Sequence, residues 1–411
     1  MTGSWRTKLE KLGGEKRIHY SLDRFQEALK DAGNPQAGLK SIVIAGTNGK
    51  GTTTLLVSRA LQLQGYRVAT YLSPHLQLLT ERFLEQLVPW SLERFDKLCE
   101  AAWPFAEKHQ LSYFEFLTLV FFLDCAQNSP DFAVIEVGLG GRLDATNVTN
   151  PLGTVITNID WDHMDYLGNS LEKILSEKMG ILRERVSVTT GIEQPELLKQ
   201  LQEFCEPRKI AVHKSTQVAQ HVKEKSWNGQ WVELDGQEVF LRNPSSGALK
   251  NAALVYLFLK ENFPEIDTTV LKKTFSSLNH PGRFEIVSEH PKVILSGDHN
   301  LAGMKTLTNV LKELKAQELY CICGFSPDKN ASEMLKMIQP FCKEITLTKC
   351  SRARGEYAGD YETLARFEAD PQKAVQVMLQ KMNPDDVLLV TGSLYLVGEV
   401  RANWKKEIVF Y

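Results

Sequence analysis

No apolar run in this sequence is long enough to cross a bilayer. The longest, such as Leu117–Leu123, fall far short of the roughly 20 residues that a membrane-spanning helix needs. The opening segment, Met1 to Lys16, is polar and charged and lacks the apolar core of a signal peptide. Charge of one sign is missing as well: 48 Lys and Arg stand against 50 Asp and Glu, a formal net charge of −2. That balance leaves no electrostatic footprint for nucleic acid. Cysteine is sparse. The seven residues are scattered and odd in number, so reduced thiols in a cytoplasm are expected rather than a disulfide framework. Cys321 and Cys323, two apart in the apolar run Tyr320–Gly324, read as buried strand and not as a metal site. Internal repeats, low-complexity tracts and charge blocks are absent too.

What remains is the composition of a globular chain, 43% hydrophobic and 24% charged. At 411 residues two domains are expected. Short apolar runs end in Gly-rich or polar turns: Ser41–Ala45 before Gly46–Thr52, Phe132–Val137 before Gly138–Arg142, and Thr154–Ile159 before Asp160–His163. Helical periodicity fills the intervals, as in Thr54–Gln64 and Glu115–Ala126. The alternation predicts an α/β fold whose parallel sheet is covered by helices, with ligands at the carboxyl ends of the strands. A second series, Lys292–Leu295, Leu319–Cys323, Glu344–Leu347 and Asp386–Val390, predicts a smaller α/β unit. The stretch from about Gln217 to Ser246 reads as short antiparallel strands at the first domain's edge. The turn cluster Asn279–Arg283 puts the boundary between a domain of residues 1–280 and one of 281–411.

The segment Ile42-Val-Ile-Ala-Gly-Thr-Asn-Gly-Lys-Gly-Thr-Thr53 carries the strongest local signal. A strand runs into a loop with Gly46, Gly49 and Gly51, and a helix follows. Backbone N–H groups of such a loop close around phosphate oxygens, and the helix N-terminus favours negative charge. Candidates for nucleotide binding are Asn48, Gly49, Lys50, Gly51, Thr52 and Thr53, with Lys50 on the outer phosphates and a threonine hydroxyl toward magnesium. The segment departs from a strict phosphate-loop pattern because Gly51 separates Lys50 from Thr52, and a generic Gly-rich turn is the alternative. Glu136 ends an apolar strand and is placed for a metal ion, or is a solvated strand-end acid. His163 is a metal ligand or a structural histidine, and Ser73 in Leu72-Ser-Pro-His75 is a neutral metal ligand or a cap. Lys178, at the end of Leu171–Gly180, reads from its spacing as a solvated helix-end lysine.

The order of segments resembles the folylpolyglutamate synthase/dihydrofolate synthase family, a branch of the Mur-ligase-like amide ligases. The matching stretches are Gly46-Thr-Asn-Gly-Lys-Gly-Thr52, Ser73-Pro-His-Leu76, Tyr113-Phe-Glu-Phe116, Glu136–Asn147, Asp162-His163, Glu177-Lys178, Pro281-Gly-Arg283 and Thr391-Gly-Ser-Leu-Tyr395. The resemblance implies an N-terminal phosphate-loop ATPase domain and a smaller C-terminal Rossmann-like domain that closes over the nucleotide. It implies ATP and two Mg2+ ions, one near Thr52, Ser73 and Glu136, the other near Glu136, His163 and a carbamylated Lys178. Asn251 and Arg283 then contact ATP, while Asp144 and Ser393 stand at substrate positions. The substrates implied are L-glutamate and dihydropteroate or reduced folates, in a monomeric enzyme. Such a ligase phosphorylates a carboxylate to an acyl phosphate, which the amino group of glutamate then attacks. Lys50, Glu136, His163 and Lys178 are the implied catalytic residues.

One stretch departs from the family. Where it usually reads Asp-Gly-Ala-His-Asn-Pro, this chain has Ser296-Gly-Asp-His-Asn-Leu301. His299, a contact of the nucleotide or of the incoming amine, and Asn300 are kept; Asp298 is expected to replace the missing acid as a further catalytic residue, or is a solvated loop acid. The departure leaves open a related ligase acting on a specialised non-folate carboxylate. A Mur-type ligase on a cell-wall precursor is disfavoured because the phosphate loop is reached by residue 46. A nucleotide-binding regulator without turnover is disfavoured by Lys50, Glu136 and His163.

Overall fold

The central strands of the larger sheet are continuous runs of Val, Ile and Ala, apolar on both faces. Such runs suit a sheet covered by helices on each side. The computed structural model describes residues 3–12, 21–161, 163–326, 330–349, 365–405 and 407–411. Asp162, part of one matching stretch, lies outside the described residues. Contacts group the chain into two units. The first comprises Met1–His75, Thr80–Ala219 and Lys250–Thr274; the second comprises Leu76–Leu79, Gln220–Leu249 and Phe275–Tyr411. Residues 220–249 thus group with the second unit, on the far side of the expected cut at 280/281.

In the first unit the strands are β1 (Ser41–Ala45), β2 (Val68–Tyr71), β3 (Phe83–Glu85), β4 (Val88–Pro89), β5 (Phe132–Glu136), β6 (Pro151–Ile156), β7 (Val188–Thr190) and β8 (Val212–Lys214). They form one eight-stranded sheet in the order β4-β3-β2-β5-β1-β6-β7-β8. From β2 to β8 the pairing is parallel, and β3 and β4 add an antiparallel edge. With β1 at the centre, Ile44 pairs with Glu136 on one side and Ala45 with Ile156 on the other. The loops after β1, β5 and β6 therefore leave from one end of the sheet.

Helices Lys50–Leu63, Tyr113–Asn128 and Leu171–Met179 belong to this unit. Tyr113–Asn128 starts at a reciprocal cap, in which the Ser112 N–H donates to Glu115 Oε2 at 2.6 Å and the Glu115 N–H to Ser112 Oγ at 3.4 Å. Val43, Ile156, Ile174, Val188 and Leu201 pack in one core cluster, which seats helix Leu171–Met179 against the sheet.

The second unit holds β9 (Gln220–Ser226), β10 (Gly229–Leu234) and β11 (Gln237–Leu241), an antiparallel sheet of its own. This corrects the expectation of added strands at the edge of the first domain. Its larger sheet comprises β12 (Glu285–Glu289), β13 (Lys292–Ser296), β14 (Leu319–Cys323), β15 (Glu344–Thr348), β16 (Arg366–Glu368) and β17 (Val387–Thr391). The order is β12-β13-β17-β14-β15-β16, parallel except for β12. Cys321 and Cys323 are fully buried on β14, their sulfurs 3.2 Å apart. No helix among the described residues is long and apolar enough to cross a membrane.

Candidate active site

The loop between β1 and helix Lys50–Leu63 is built on two glycines that tolerate no side chain. Gly46 has φ +142°, and a Cβ there would stand 1.8 Å from Thr157 Oγ1. Gly49 has φ +82°, and its Cβ would meet Asn251 Oδ1 at 2.5 Å. Asn251, which the resemblance places at ATP, therefore lies against the loop expected to bind its phosphates. The neighbouring strand loop fastens the rest. Thr157 Oγ1 donates to Asn48 O at 2.7 Å, Asn48 N–H to Asn158 Oδ1 at 2.9 Å, and Thr47 N–H to Asn158 O at 3.0 Å. Strand β6 ends at Ile156, short of the expected Ile159, because Thr157 turns to make these bonds.

A small cleft lies over this loop. It is lined by Gly46, Thr47, Lys50, His163, Leu167 and Lys178, together with Val137–Gly140. Three of the expected catalytic side chains thus meet at one place. Lys50 Nζ donates to Thr47 O at 3.0 Å, folding the lysine along its own loop. Lys178 Nζ donates to Gly46 O at 2.9 Å. At 3% exposure Lys178 is buried, which overturns the solvated reading drawn from its helix spacing. His163 adopts φ +47° at the start of the short helix Met164–Leu167 and is exposed on the rim.

Glu136 is 4% exposed at the end of β5, so it is no solvated strand-end acid. Its Oε2 accepts the Ser73 N–H at 2.9 Å, which joins the two residues expected to share a metal. Thr52 and Gly51 are half-buried in the first helical turn. Thr53 faces the other way. Its N–H is taken by Gly49 O at 2.9 Å and its hydroxyl is buried, so it presents neither group to the cleft.

Asp144 organises the loop after β5. Its carboxylate accepts Leu139 N–H at 2.8 Å, Thr146 N–H at 2.9 Å and the Thr146 hydroxyl at 2.6 Å. Burial raises its pKa above the ordinary carboxylate value, and these donors oppose the shift. The residue expected at a substrate position is thus first the knot that shapes its loop.

In the second unit a separate cluster forms around Gly297. Arg283 donates to Gly297 O at 3.2 Å, and His299 Nδ1 lies 2.9 Å from the same carbonyl, which assigns the Nδ1–H tautomer. Ser296 Oγ donates to Asp298 Oδ2 at 2.7 Å, so the serine at the family's acid position directly touches the displaced acid. Gly392 N–H donates to Asp298 O at 3.0 Å. Ser393 follows as the N-cap of helix Leu394–Arg401, its Oγ accepting the Tyr395 N–H at 3.2 Å. Next to Arg283, half-buried His280 has its pKa pulled down to about 3, chiefly by desolvation and secondarily by the guanidinium.

Two residues to which the sequence reading gave no role complete the first site: Asn147, the last residue of the matching stretch Glu136–Asn147, and Arg183. Asn147 and Arg183 hold the loop 138–147 against helix Leu171–Met179. Arg183 makes these bonds to neutral oxygens only, and no spacing or charge pattern signals them.

Residues 44–250 match the Mur ligase middle domain, and residues 282–394 the glutamate ligase domain of Mur ligases. Together with the phosphate-type loop and its lysines, the fold defines an ATP-dependent ligase of the Mur type. The dihydrofolate synthase/folylpolyglutamate synthase of Bacillus subtilis is 31% identical over 408 residues, covering 93% of this chain and 95% of its own. The Escherichia coli enzyme of that name is 29% identical, over 97% of this chain and 94% of its own. A crystal structure of folylpolyglutamate synthase from Thermotoga maritima superposes with TM-score 0.86 at 29% identity, over 99% of this chain and 98% of that one. Escherichia coli FolC in complex with ADP, without folate substrate, gives 0.84 at 27% identity over 97% and 95%. The chain belongs to the dihydrofolate synthase/folylpolyglutamate synthase family, whose members are ATP-dependent ligases that add glutamate. That membership favours the folate reading over a specialised non-folate carboxylate.

Proposed function

We propose that this enzyme joins L-glutamate to dihydropteroate, to reduced folates or to both, through an acyl phosphate. The observation that carries the proposal is the cleft where Lys50, His163 and Lys178 meet the phosphate loop beside Val137–Gly140. The domain expected over residues 1–280, apart from the segments that group with the second unit, binds ATP, and the domain of residues 281–411 serves glutamate.

The donor set suits a hard divalent ion at the first position. The hydroxyls of Thr52 and Ser73 with the Glu136 carboxylate are all oxygen ligands, and the Ser73 N–H keeps that carboxylate at Ser73. As a plain ammonium Lys178 would repel a second ion; carbamylated, it would offer a carboxylate in the cleft it shares with His163, to act with Glu136. Magnesium held by these residues would neutralise charge on the transferring phosphoryl group.

The chain's own groups do the remaining work. Loop N–H groups and Lys50 bind the nucleotide's phosphates, with Lys50 leaving Thr47 O for the outer phosphate as charge builds there. Asn251 backs Gly49 and holds the loop's left-handed turn. The loop 138–147, shaped by Asp144, receives the acyl substrate so that its carboxylate faces the phosphate to be transferred. Once phosphorylated, that carbonyl is open to the amino group of glutamate, and phosphate leaves. Arg283 and His299 serve the nucleotide, and Asp298 and Ser393 the incoming amino acid. We further propose a cytoplasmic monomer that acts without nucleic acid or membrane, in keeping with its balanced charge.

ADP release tests the scheme. It should require ATP, glutamate and a pterin carboxylate together and stop in excess chelator. ADP formation with any one substrate missing, at the full rate, would defeat it.

A further inference from the structure

Lys178 is held from two sides. Its Nζ donates to Gly46 O of the phosphate loop at 2.9 Å. Over its backbone lies the loop 138–147: a Cβ on Gly141 would stand 3.0 Å from Lys178 Cα and 2.7 Å from Glu177 O. A Cβ on Gly180 would stand 2.4 Å from that of Arg142. Loop and helix end touch backbone to backbone, a close approach that leaves no room for side chains but does not by itself fix the register of one on the other.

Hydrogen bonds fasten this contact. Arg142 N–H donates to Glu177 O at 2.8 Å, and its guanidinium to Glu177 Oε1 at 2.8 Å. Asn147 Nδ2 bridges Arg142 O on the loop and Gly180 O past the helix end, 3.0 Å to each. Arg183 then fixes Asn147. One amino group donates to Asn147 Oδ1 at 2.8 Å and to the carbonyls of Asn147 and Thr149 at 3.3 Å. The other donates to Gly180 O and Leu182 O, both at 3.2 Å. All five acceptors are neutral. A half-buried guanidinium bound to neutral oxygens recovers little of its desolvation cost, whereas its planar fork fixes geometry well.

We infer that Asn147 and Arg183 are positioning residues that couple the loop 138–147 to Lys178, so that acyl substrate seated on the loop sets the placement of Lys178 against the phosphate loop. The inference rests on the loop being the acyl site and the cleft the nucleotide site.

Amide hydrogen exchange tests the coupling apart from turnover, with ADP present throughout. In the native enzyme, dihydropteroate should slow exchange across 138–147 and 171–180 together. In Arg183→Met it should slow 138–147 alone. The kcat of that variant should fall roughly ten- to a hundredfold, as expected for a misplaced catalytic group, with KM for ATP changing by less than about threefold. Arg183→Lys should recover part of the loss. If Arg183→Met does not fold, Asn147→Ala removes the bridge and leaves Arg183 its backbone acceptors. Equal protection of both segments in either variant, or an unchanged kcat, overturns the coupling. Absence of protection over 138–147 in the native enzyme defeats the acyl-site reading itself, and the inference with it.

Discussion

Lys178 Nζ donates to the carbonyl of Gly46 at 2.9 Å, tying the end of one helix to a phosphate loop 132 residues earlier in the chain. A carbamylated lysine keeps an N–H on Nζ, so this bond survives the modification while the new carboxylate extends into the cleft. With 13C-labelled bicarbonate, the native enzyme should give a carbamate signal that is absent in Lys178→Ala, and the variant should lose turnover. Full activity in Lys178→Ala, with no effect of bicarbonate on the native enzyme, would sink the proposal.

Glu136 combines a buried carboxylate with the Ser73 N–H at 2.9 Å. Glu136→Gln keeps an oxygen for that N–H and removes the charge that a metal ion needs. Turnover should drop by at least about a hundredfold, the loss typical of one charged contact at a reacting phosphate, with the melting temperature nearly unchanged. Native-like turnover would remove Glu136 from the metal site.

At Asp298, burial raises the pKa above the ordinary 3.8, while Ser296 and Arg283 pull the other way. Because the folded value exceeds the unfolded one, the group's stabilising contribution is full below the unfolded value and is lost as pH rises through the folded one. At neutral pH the ionised carboxylate is therefore a cost to the fold. Asp298→Asn should match or exceed the native melting temperature at pH 7, with the difference closing as pH falls toward 3.8. Turnover should fall by about one to three powers of ten if the charge serves the incoming amine. Parallel losses of activity and stability would point to a structural role, and unchanged kinetics would end the assignment.

Gly46→Ala places a methyl group 1.8 Å from Thr157 Oγ1, on a backbone with φ +142°. Strain of this kind costs about 1–3 kcal/mol, before the displaced Thr157–Asn48 bond is counted. Denaturant unfolding should show the loss together with weakened ATP binding. An unaltered midpoint would contradict the close packing of the two loops.

Much of this was legible in the amino acids. Strands β1 and β14 run over the residues their apolar patterns predicted, since two-sided burial leaves a continuous hydrophobic signal. The loop glycines and Lys50 announced themselves by type and spacing. Lys178 did not, because helical periodicity reports a face and not the tertiary partner, here Gly46 O, that buries it. The role of Asn147, which lies in a matching stretch, and Arg183 altogether escaped for a related reason: their acceptors are mainly backbone carbonyls, which every residue carries. The three strands of 220–241 were legible as strands, but not that, among the described residues, they pair only with one another, since alternation within a hairpin does not say which sheet it joins.

The most direct measurement is the mass of the product. Purified enzyme should be incubated with ATP, magnesium, L-glutamate and either dihydropteroate or a reduced folate. The account predicts a pterin product heavier by one glutamyl residue, formed one-for-one with ADP and phosphate from at least one of the two acceptors. ATP consumed without a glutamylated product from either acceptor, or glutamate transferred with AMP as the nucleotide product, would contradict it.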